Sequence, residues 1–280
     1  MKERDYKGFL IIPALLFVFT FYLLPNILNF IYAFTDWSVF KTEINFVGIQ
    51  NFIELSQRGE IWKDLLITLE YGLLVMILMN LTNLVLGLAL ERTCLFSRIM
   101  RTVFFIPVLI APIAAGYIFK GFFGSSGIVA DIFNINLLGS MRYALYATII
   151  VHIWKFMGVG LLVYIAGLNS VPEELIEYAR IEGANEFQII KNIKIPLIGP
   201  SLTFNIALSM IGGLKVFATV LAMTQGGPAR STEVLNIFIL QNFATGRLGY
   251  TTAISLVLFL VIFIIAIPLI IFLRKREVEL

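Results

Sequence analysis

EYARIEGANEFQIIKNIKIP, residues 177–196, is a polar, helix-prone segment with a glycine joint, set in a chain that otherwise alternates between long apolar runs. Its fixed points are Glu177, Ala179 and Gly183, then, after nine residues, Ile193, Ile195 and Pro196. Just upstream, Ser170-Val171-Pro172-Glu173 has the form of a capping box, with the Ser170 hydroxyl placed to accept from the Glu173 amide and proline tolerated in a first turn. Asn185-Glu186-Phe187-Gln188 repeats that logic, so a second short helix is predicted just past Gly183 and Ala184, where glycine lets the chain bend. Residues 170–196 therefore read as two short helices at an angle. Ala179 and Gly183 share a face whose small side chains suit close seating in a partner's groove, and Glu177 and Arg180 are spaced to pair with each other or with partner charges. The plainer alternative is a solvated amphipathic loop on a membrane surface. The spacing, and the position between a fourth and a fifth apolar run, favour a docking device.

Outward from this loop the chain is apolar: of 280 residues, 59% are hydrophobic and 14% charged, and the mean hydropathy is +0.91. That composition excludes an ordinary soluble domain and predicts an all-α integral membrane protein. Six runs reach spanning length: Phe9–Phe34, Ile67–Leu90, Thr102–Phe119, Tyr143–Gly167, Leu197–Met223 and Thr251–Leu273. The third contains Pro107 and Pro112, which a membrane helix tolerates when neighbours satisfy the freed carbonyls. Twelve Lys and Arg residues fall on the side of the Glu177 loop and of both termini, and seven on the other. The bias toward basic cytoplasmic loops then puts the loop and both termini in the cytoplasm, with several passes through the membrane. The net charge of +3 lies in short clusters between runs, so it determines topology and leaves no patch for nucleic acid. The N-terminal apolar run is longer than a signal-peptide core and lacks a small-residue cleavage site, so it reads as a retained first helix. No linker or repeat divides residues 1–280, which read as a single transmembrane domain.

Chemistry is mostly excluded. Cys94 is the only cysteine and His152 the only histidine, so neither an intrachain disulfide nor a multi-histidine metal site is available. The chain has no GxSxG, no HExxH and no paired intramembrane aspartates, and without GxxxxGK[ST] it lacks a phosphate loop of its own. No catalytic or metal-binding residue is expected. Glu70 is the one carboxylate inside a predicted span, which disfavours self-contained proton coupling of the secondary-transporter kind.

Cations within spans cost about 2.5–3.5 kcal/mol each, so His152, Lys155 and Lys215 draw notice. With Trp154, Phe156 and Phe217 as stacking faces, they are the candidates for a polyhydroxylated ligand; snorkelling, or a pair with Glu70, is the competing reading for the lysines. Gly213, beside Gly212 and four residues from Ser209, permits close helix approach or local unwinding, as Ala111 and Ala115 do on the third run. Beyond the fifth run, Thr224, Gly226, Gly227 and Pro228 form a sharp external turn.

Residues 177–196 resemble the EAA loop by which permeases of bacterial ABC importers dock onto their ATPase, departing from it at Tyr178 and Ile195. FVGIQNF, at 46–52, and TQGGP with Ser231 and Thr232, from 224 onward, resemble strings of carbohydrate-uptake permeases of the maltose and glycerol-phosphate type, in the same order and between the same helices. FVGIQNF reads equally as an amphipathic external loop packing on the helix ends. The resemblance spans Gly8 to Arg276. It implies the type I ABC importer permease fold and the first of two permease subunits in a bacterial cytoplasmic membrane. It also implies a heterodimer with the second permease, two ATPase subunits that bind ATP and magnesium, and an extracytoplasmic solute-binding protein near the Thr224–Pro228 turn. The substrate would be a sugar or oligosaccharide, although glycerol phosphate or an anionic sugar suits the same strings. On this reading the coupling residues are Glu177, Ala179, Arg180, Gly183, Ala184 and Pro196, and the chain is not itself an enzyme and carries no cofactor.

Overall fold

The computed structural model describes residues 3–277, with side chains described from Ile11 onward. The side chains of Lys2, Arg4 and Lys7, counted among the cytoplasmic cations, lie outside the described part. In lipid a backbone must satisfy its own polar groups, and the apolar runs accordingly form helices. α1 (Glu3–Val18) passes through a π-helical turn, Phe19–Leu23, into α2 (Leu24–Tyr32). The stretch after it holds α3 (Gln50–Arg58), and α4 (Glu60–Leu90) follows. Next come α5 (Leu95–Leu109), α6 (Pro112–Phe123), α7 (Ile128–Phe133) and α8 (Ala144–Asn169). The loop region holds α9 (Glu173–Ile181), α10 (Glu186–Ile189), a second π turn (Ile190–Lys194) and α11 (Ile195–Leu197). α12 (Gly199–Leu214), α13 (Ala218–Met223), α14 (Leu235–Ala244) and α15 (Leu248–Arg274) complete the chain.

Among the described residues, Ile11–Tyr32, Glu60–Leu90, Pro112–Phe133, Ala144–Asn169 and Leu248–Arg274 are long and apolar enough to cross a membrane. Glu186–Leu197 and Gly199–Leu214, bent by 73°, make a sixth when counted as one. By length and composition the described residues thus hold five candidate spans, or six with the bent pair, and two of the expected helices are broken. Thr102–Phe119 is not continuous. Pro112 has no N–H to give Val108, and it forces the residue before it out of the helical region, so Ala111 sits at ψ 136° and Ile110 beside it also at ψ 136°. Helix Leu197–Met223 is likewise split, ending at Leu214 and resuming at Ala218.

The chain divides into two compact units. One runs up to Lys63 and adds Phe238–Leu260. In it, Asn51 of the FVGIQNF string donates from Nδ2 to the carbonyls of Ala33 and Thr35, at 2.9 Å each, and so caps α2. Phe34 packs on Phe46 and Phe52, so the string does lie on a helix end. Arg247 grips Glu54, which also accepts from Arg58 at 2.7 Å. The Arg247 hydrogen bonds, first of all, hold the Glu54 carboxyl below its ordinary pKa.

The other unit holds Asp64–Ile237 and the chain from Val261 onward. α5, α6, α12 and α13 pack against α8, and α13 packs against α6. Its core joins Tyr71, Val75 and Met79 of α4 to Leu145 and Ile149 of α8, with Val216 and Val220 closing it.

Candidate functional site

The 170–196 loop begins where α8 stops. Ser170 does not cap the following helix, contrary to the sequence reading: its hydroxyl donates to Gly167 O at 2.7 Å, because it already serves as the C-cap of α8. Pro172 takes the N-cap position of α9 without a side-chain bond, and Glu173 and Glu174 in the first turn face the positive end of the helix dipole. α9 closes in a Schellman motif: Ala184 N donates to Ala179 O at 2.9 Å and Gly183 N to Arg180 O at 3.0 Å. Gly183 sits at φ +86°, the left-handed conformation that the motif needs. The second predicted cap is present in full. Gln188 N donates to Asn185 Oδ1 at 2.9 Å, and Asn185 N to Gln188 Oε1 at 2.8 Å. Arg180 turns to Glu186 at 2.8 Å instead of Glu177, across the joint between the two helices; both side chains are exposed, so the pair is worth little by itself.

Pro196 shapes the exit. Its ring nitrogen offers no hydrogen to the Asn192 carbonyl, and the chain takes this up in the π turn, with Ile195 N reaching Ile190 O. One side of the loop is anchored: Ile189 is fully buried, and Ile176 and Ile193 pack with Tyr164, Leu168, Val171 and Ile198. The other side is apolar and open. Ile181 is 82% exposed and Phe187 71%, with Tyr178 and Glu177 also exposed. The loop also holds a hollow of about 280 Å³ lined by Glu182, Gly183, Ala184, Gln188, Ile189, Asn192 and Ile193.

The turn at Thr224 is a second organised site. Gln225, Gly226, Ala229 and Arg230 all have positive φ, with Gly226 at +92°. Thr224 and Thr232 share a hydroxyl hydrogen bond of 2.7 Å, and Thr232 Oγ1 donates to Gly227 O at 2.8 Å. Arg230 pins the turn to α4, donating to Asp64 Oδ2 at 2.9 Å and to Glu233 Oε2 at 3.0 Å; both carboxylates are buried. The Thr68 hydroxyl adds a bond from Leu235 N at 2.9 Å.

The intramembrane candidates are distributed differently from one another. Lys155 is buried and donates to Val108 O at 2.9 Å, the very carbonyl that Pro112 leaves without a donor, so it caps the broken end of α5. Its ammonium also lies 4.7 Å from the Phe156 ring centre. His152 is buried between Tyr71 and Phe156, with ring centres 5.7 and 4.8 Å away, and its Nδ1 has no hydrogen-bond partner among the described residues. Trp154 packs edge-on against Phe119. Gly213 is packing: a Cβ there would lie 2.8 Å from Gly72 Cα. Ala115 is buried as well, while Ala111 stands at the N-cap of α6. Glu70 takes the Tyr146 hydroxyl at 3.1 Å. Lys215 is exposed at the break after α12, beside half-buried Phe217. The structure thus places His152, Lys155 and Phe156 together, while Lys215 stands at the break in the fifth span.

Several polar residues escaped the sequence reading. Tyr164 donates to Asn80 Oδ1 at 2.8 Å and Asn80 to Ser209 Oγ at 2.7 Å, joining α8, α4 and α12. Asn205 donates to Gly160 O at 3.2 Å, and Asn83 is buried close by. Amides at membrane depth were the available signal, since each needs a partner there. Asp64 and Glu233 gave none, because each looks like a loop charge until Arg230 is brought to it.

A multi-pass helical molecule with a capped, glycine-jointed loop between its fourth and fifth spans has the build of an importer permease. Residues 72–276 match the family described as "Binding-protein-dependent transport system inner membrane component", and the chain belongs to that family. It is similar to the probable starch degradation products transport system permease protein AmyD of Thermoanaerobacterium thermosulfurigenes, at 29% identity over 100% of this chain and 97% of that protein. It is also similar to the multiple sugar-binding transport system permease protein MsmF of Streptococcus mutans, at 29% identity over 96% and 95%. Its fold matches a chain from the crystal structure of a bacterial ABC transporter involved in import of the acidic polysaccharide alginate. That match has a TM-score of 0.84 at 20% identity and covers 98% of this chain and 96% of the other. The type I ABC importer permease fold expected from the sequence is therefore present.

Proposed function

We propose that this chain is one of two membrane subunits of an ATP-driven importer of a sugar or oligosaccharide. Two separate ATPase subunits bind ATP and magnesium and dock on the 170–196 loop, and both termini share the cytoplasmic side with it. An extracytoplasmic solute-binding protein delivers the substrate near the Thr224–Pro228 turn. The observation that carries this reading is the loop itself: anchored through buried Ile189, it leaves Tyr178, Ile181 and Phe187 exposed, and holds a hollow lined by Glu182, Gly183, Ala184, Gln188, Ile189, Asn192 and Ile193. Rigid caps at Gly183 and Asn185 favour docking because little order remains to be imposed on binding. Glu177, Ala179, Arg180, Ala184 and Pro196 belong to the same surface or set its shape. The saccharide class is supported by the names of the similar permeases. The exposed Lys215 supports a second reading, in which the saccharide is acidic; glycerol phosphate suits the same cation.

Within the membrane, Lys215, Phe217, Trp154 and Phe156 are the side chains we assign to the solute path, with His152, Lys155 and Gly213 fixing the helices that carry them. The test is reconstitution with the second permease, the ATPase and the solute-binding protein in liposomes, with cysteines at positions 178 and 187. Cross-links from both positions to the ATPase, together with ATP-dependent uptake across a panel of neutral and acidic oligosaccharides, support the reading. Uptake by this chain alone, or a loop that reaches no ATPase, overturns it.

A further inference from the structure

The coupling loop is tied to the membrane helices by more than chain continuity. α4 ends at Leu90, where the last helical carbonyls have no donors of their own. Arg101 on α5 supplies the last of them, donating from Nε to Leu90 O at 3.1 Å and from Nη2 to Leu90 O, and just past the helix end to Glu91 O at 3.0 Å and to Arg92 O at 3.4 Å. A guanidinium there also meets the negative end of the α4 dipole. The side chain of Glu91 reaches elsewhere: its Oε1 accepts from Lys194 Nζ, in a pair whose side chains are only 22% and 9% exposed. Lys194 is the last residue of the π turn that Pro196 produces in the loop. Residues 91 and 194 are distant in sequence, so the pair is a direct strut between the loop and the second span.

Apolar contacts run in parallel. Leu84 and Leu88 of α4 and Ile176 and Ile193 of the loop pack against one shared cluster, Tyr164, Leu168, Val171 and Ile198, and Met100 and Phe104 of α5 pack against the cluster of Leu90, Leu161 and Ile165. Such contacts slide more readily than a half-buried ion pair, whose rupture leaves a charge poorly solvated. We propose that Glu91 is a positioning residue for transport. Through Lys194 it brings movement of the loop into the cytoplasmic end of α4, and through Arg101 that movement passes to α5. The inference rests on the reading of residues 170–196 as the ATPase-docking loop. When the strut is cut, the ATPase still closes and still displaces the loop, but α4 and α5 lag behind. Hydrolysis continues with less solute moved per ATP.

The experiment measures solute imported per ATP hydrolysed in the reconstituted assembly, alongside hydrolysis stimulated by the loaded solute-binding protein. Glu91→Gln and Lys194→Met are each expected to lower the import-to-hydrolysis ratio at least about threefold, with stimulated hydrolysis within about twofold of the unaltered assembly. The exchanged pair, Glu91→Lys with Lys194→Glu, is expected to restore the ratio. Arg101→Lys, which keeps the charge but loses the fork, is expected to lower it by a smaller factor. An unchanged ratio in both single variants overturns the inference, as does a fall in hydrolysis and import in equal proportion. A lowered ratio that the exchanged pair fails to restore also overturns it. Absence of ATP-driven import by the unaltered assembly overturns the functional reading as well, and so is distinguishable from failure of the strut alone.

Discussion

Gly183 shows what one position contributes to the loop. A Cβ there would meet nothing within 4 Å, so space is not the constraint; the constraint is φ +86°. Valine at 183 is expected to destabilise the loop by about 1–2 kcal/mol, and asparagine by less because it tolerates the left-handed region. Limited proteolysis between positions 181 and 186 should therefore rank valine above asparagine above glycine in cleavage rate. Glu54 sets a second test. Arg247 holds its folded-state pKa below the ordinary value, so its stabilisation is complete above that value and is lost as pH falls through the lower, folded one. Detergent-solubilised protein should lose thermal stability on acidification across the carboxylate range. Glu54→Gln should be less stable at neutral pH and should lack this part of the acid dependence. Both residues were visible in the sequence, but only Gly183 could be assigned a role, because a helix C-cap is local whereas Arg247 lies far along the chain.

At the scale of the element, the interrupted helices are the main departure from the sequence reading. The sequence marks Pro107 and Pro112 as interruptions and requires a neighbour for the freed carbonyl; only the structure identifies Lys155 as that neighbour. Lys155→Met is expected to cost about 1–3 kcal/mol by leaving the part-buried Val108 O without a donor. If Lys155 instead served only the solute, thermal stability would be unchanged and only the apparent affinity for substrate would move; melting in detergent and uptake kinetics separate the two. The break between α12 and α13 has the same logic with a different donor: Val216 O accepts from Asn236 Nδ2 at 3.2 Å. Discontinuous helices at membrane depth are tolerated only where protein or a cavity meets the exposed backbone, which is why Lys215 at the break is the strongest of the solute-path candidates.

For the whole molecule, the charge bias predicts that the 170–196 loop faces the cytoplasm. A single cysteine introduced at position 187, in a Cys94→Ser background, is expected to react with a membrane-impermeant maleimide in inside-out vesicles and not in right-side-out ones; one at position 40 is expected to do the reverse. The reverse pattern would invert the topology and remove the loop from reach of a cytoplasmic ATPase. What the sequence by itself determined is whatever depends on neighbours a few positions away: six apolar runs, the Asn185 capping box, the glycine joint and the sharp turn after Thr224. What only the tertiary structure decided is which distant groups meet: Lys155 with the carbonyl of Val108, Arg230 with Asp64, Ser170 with its own preceding helix and not the next. Helical periodicity and capping are set by short-range geometry that composition and spacing encode directly. The partner of a buried polar group depends on which helices the packing brings together, and many pairings satisfy the same local rules until the fold selects one.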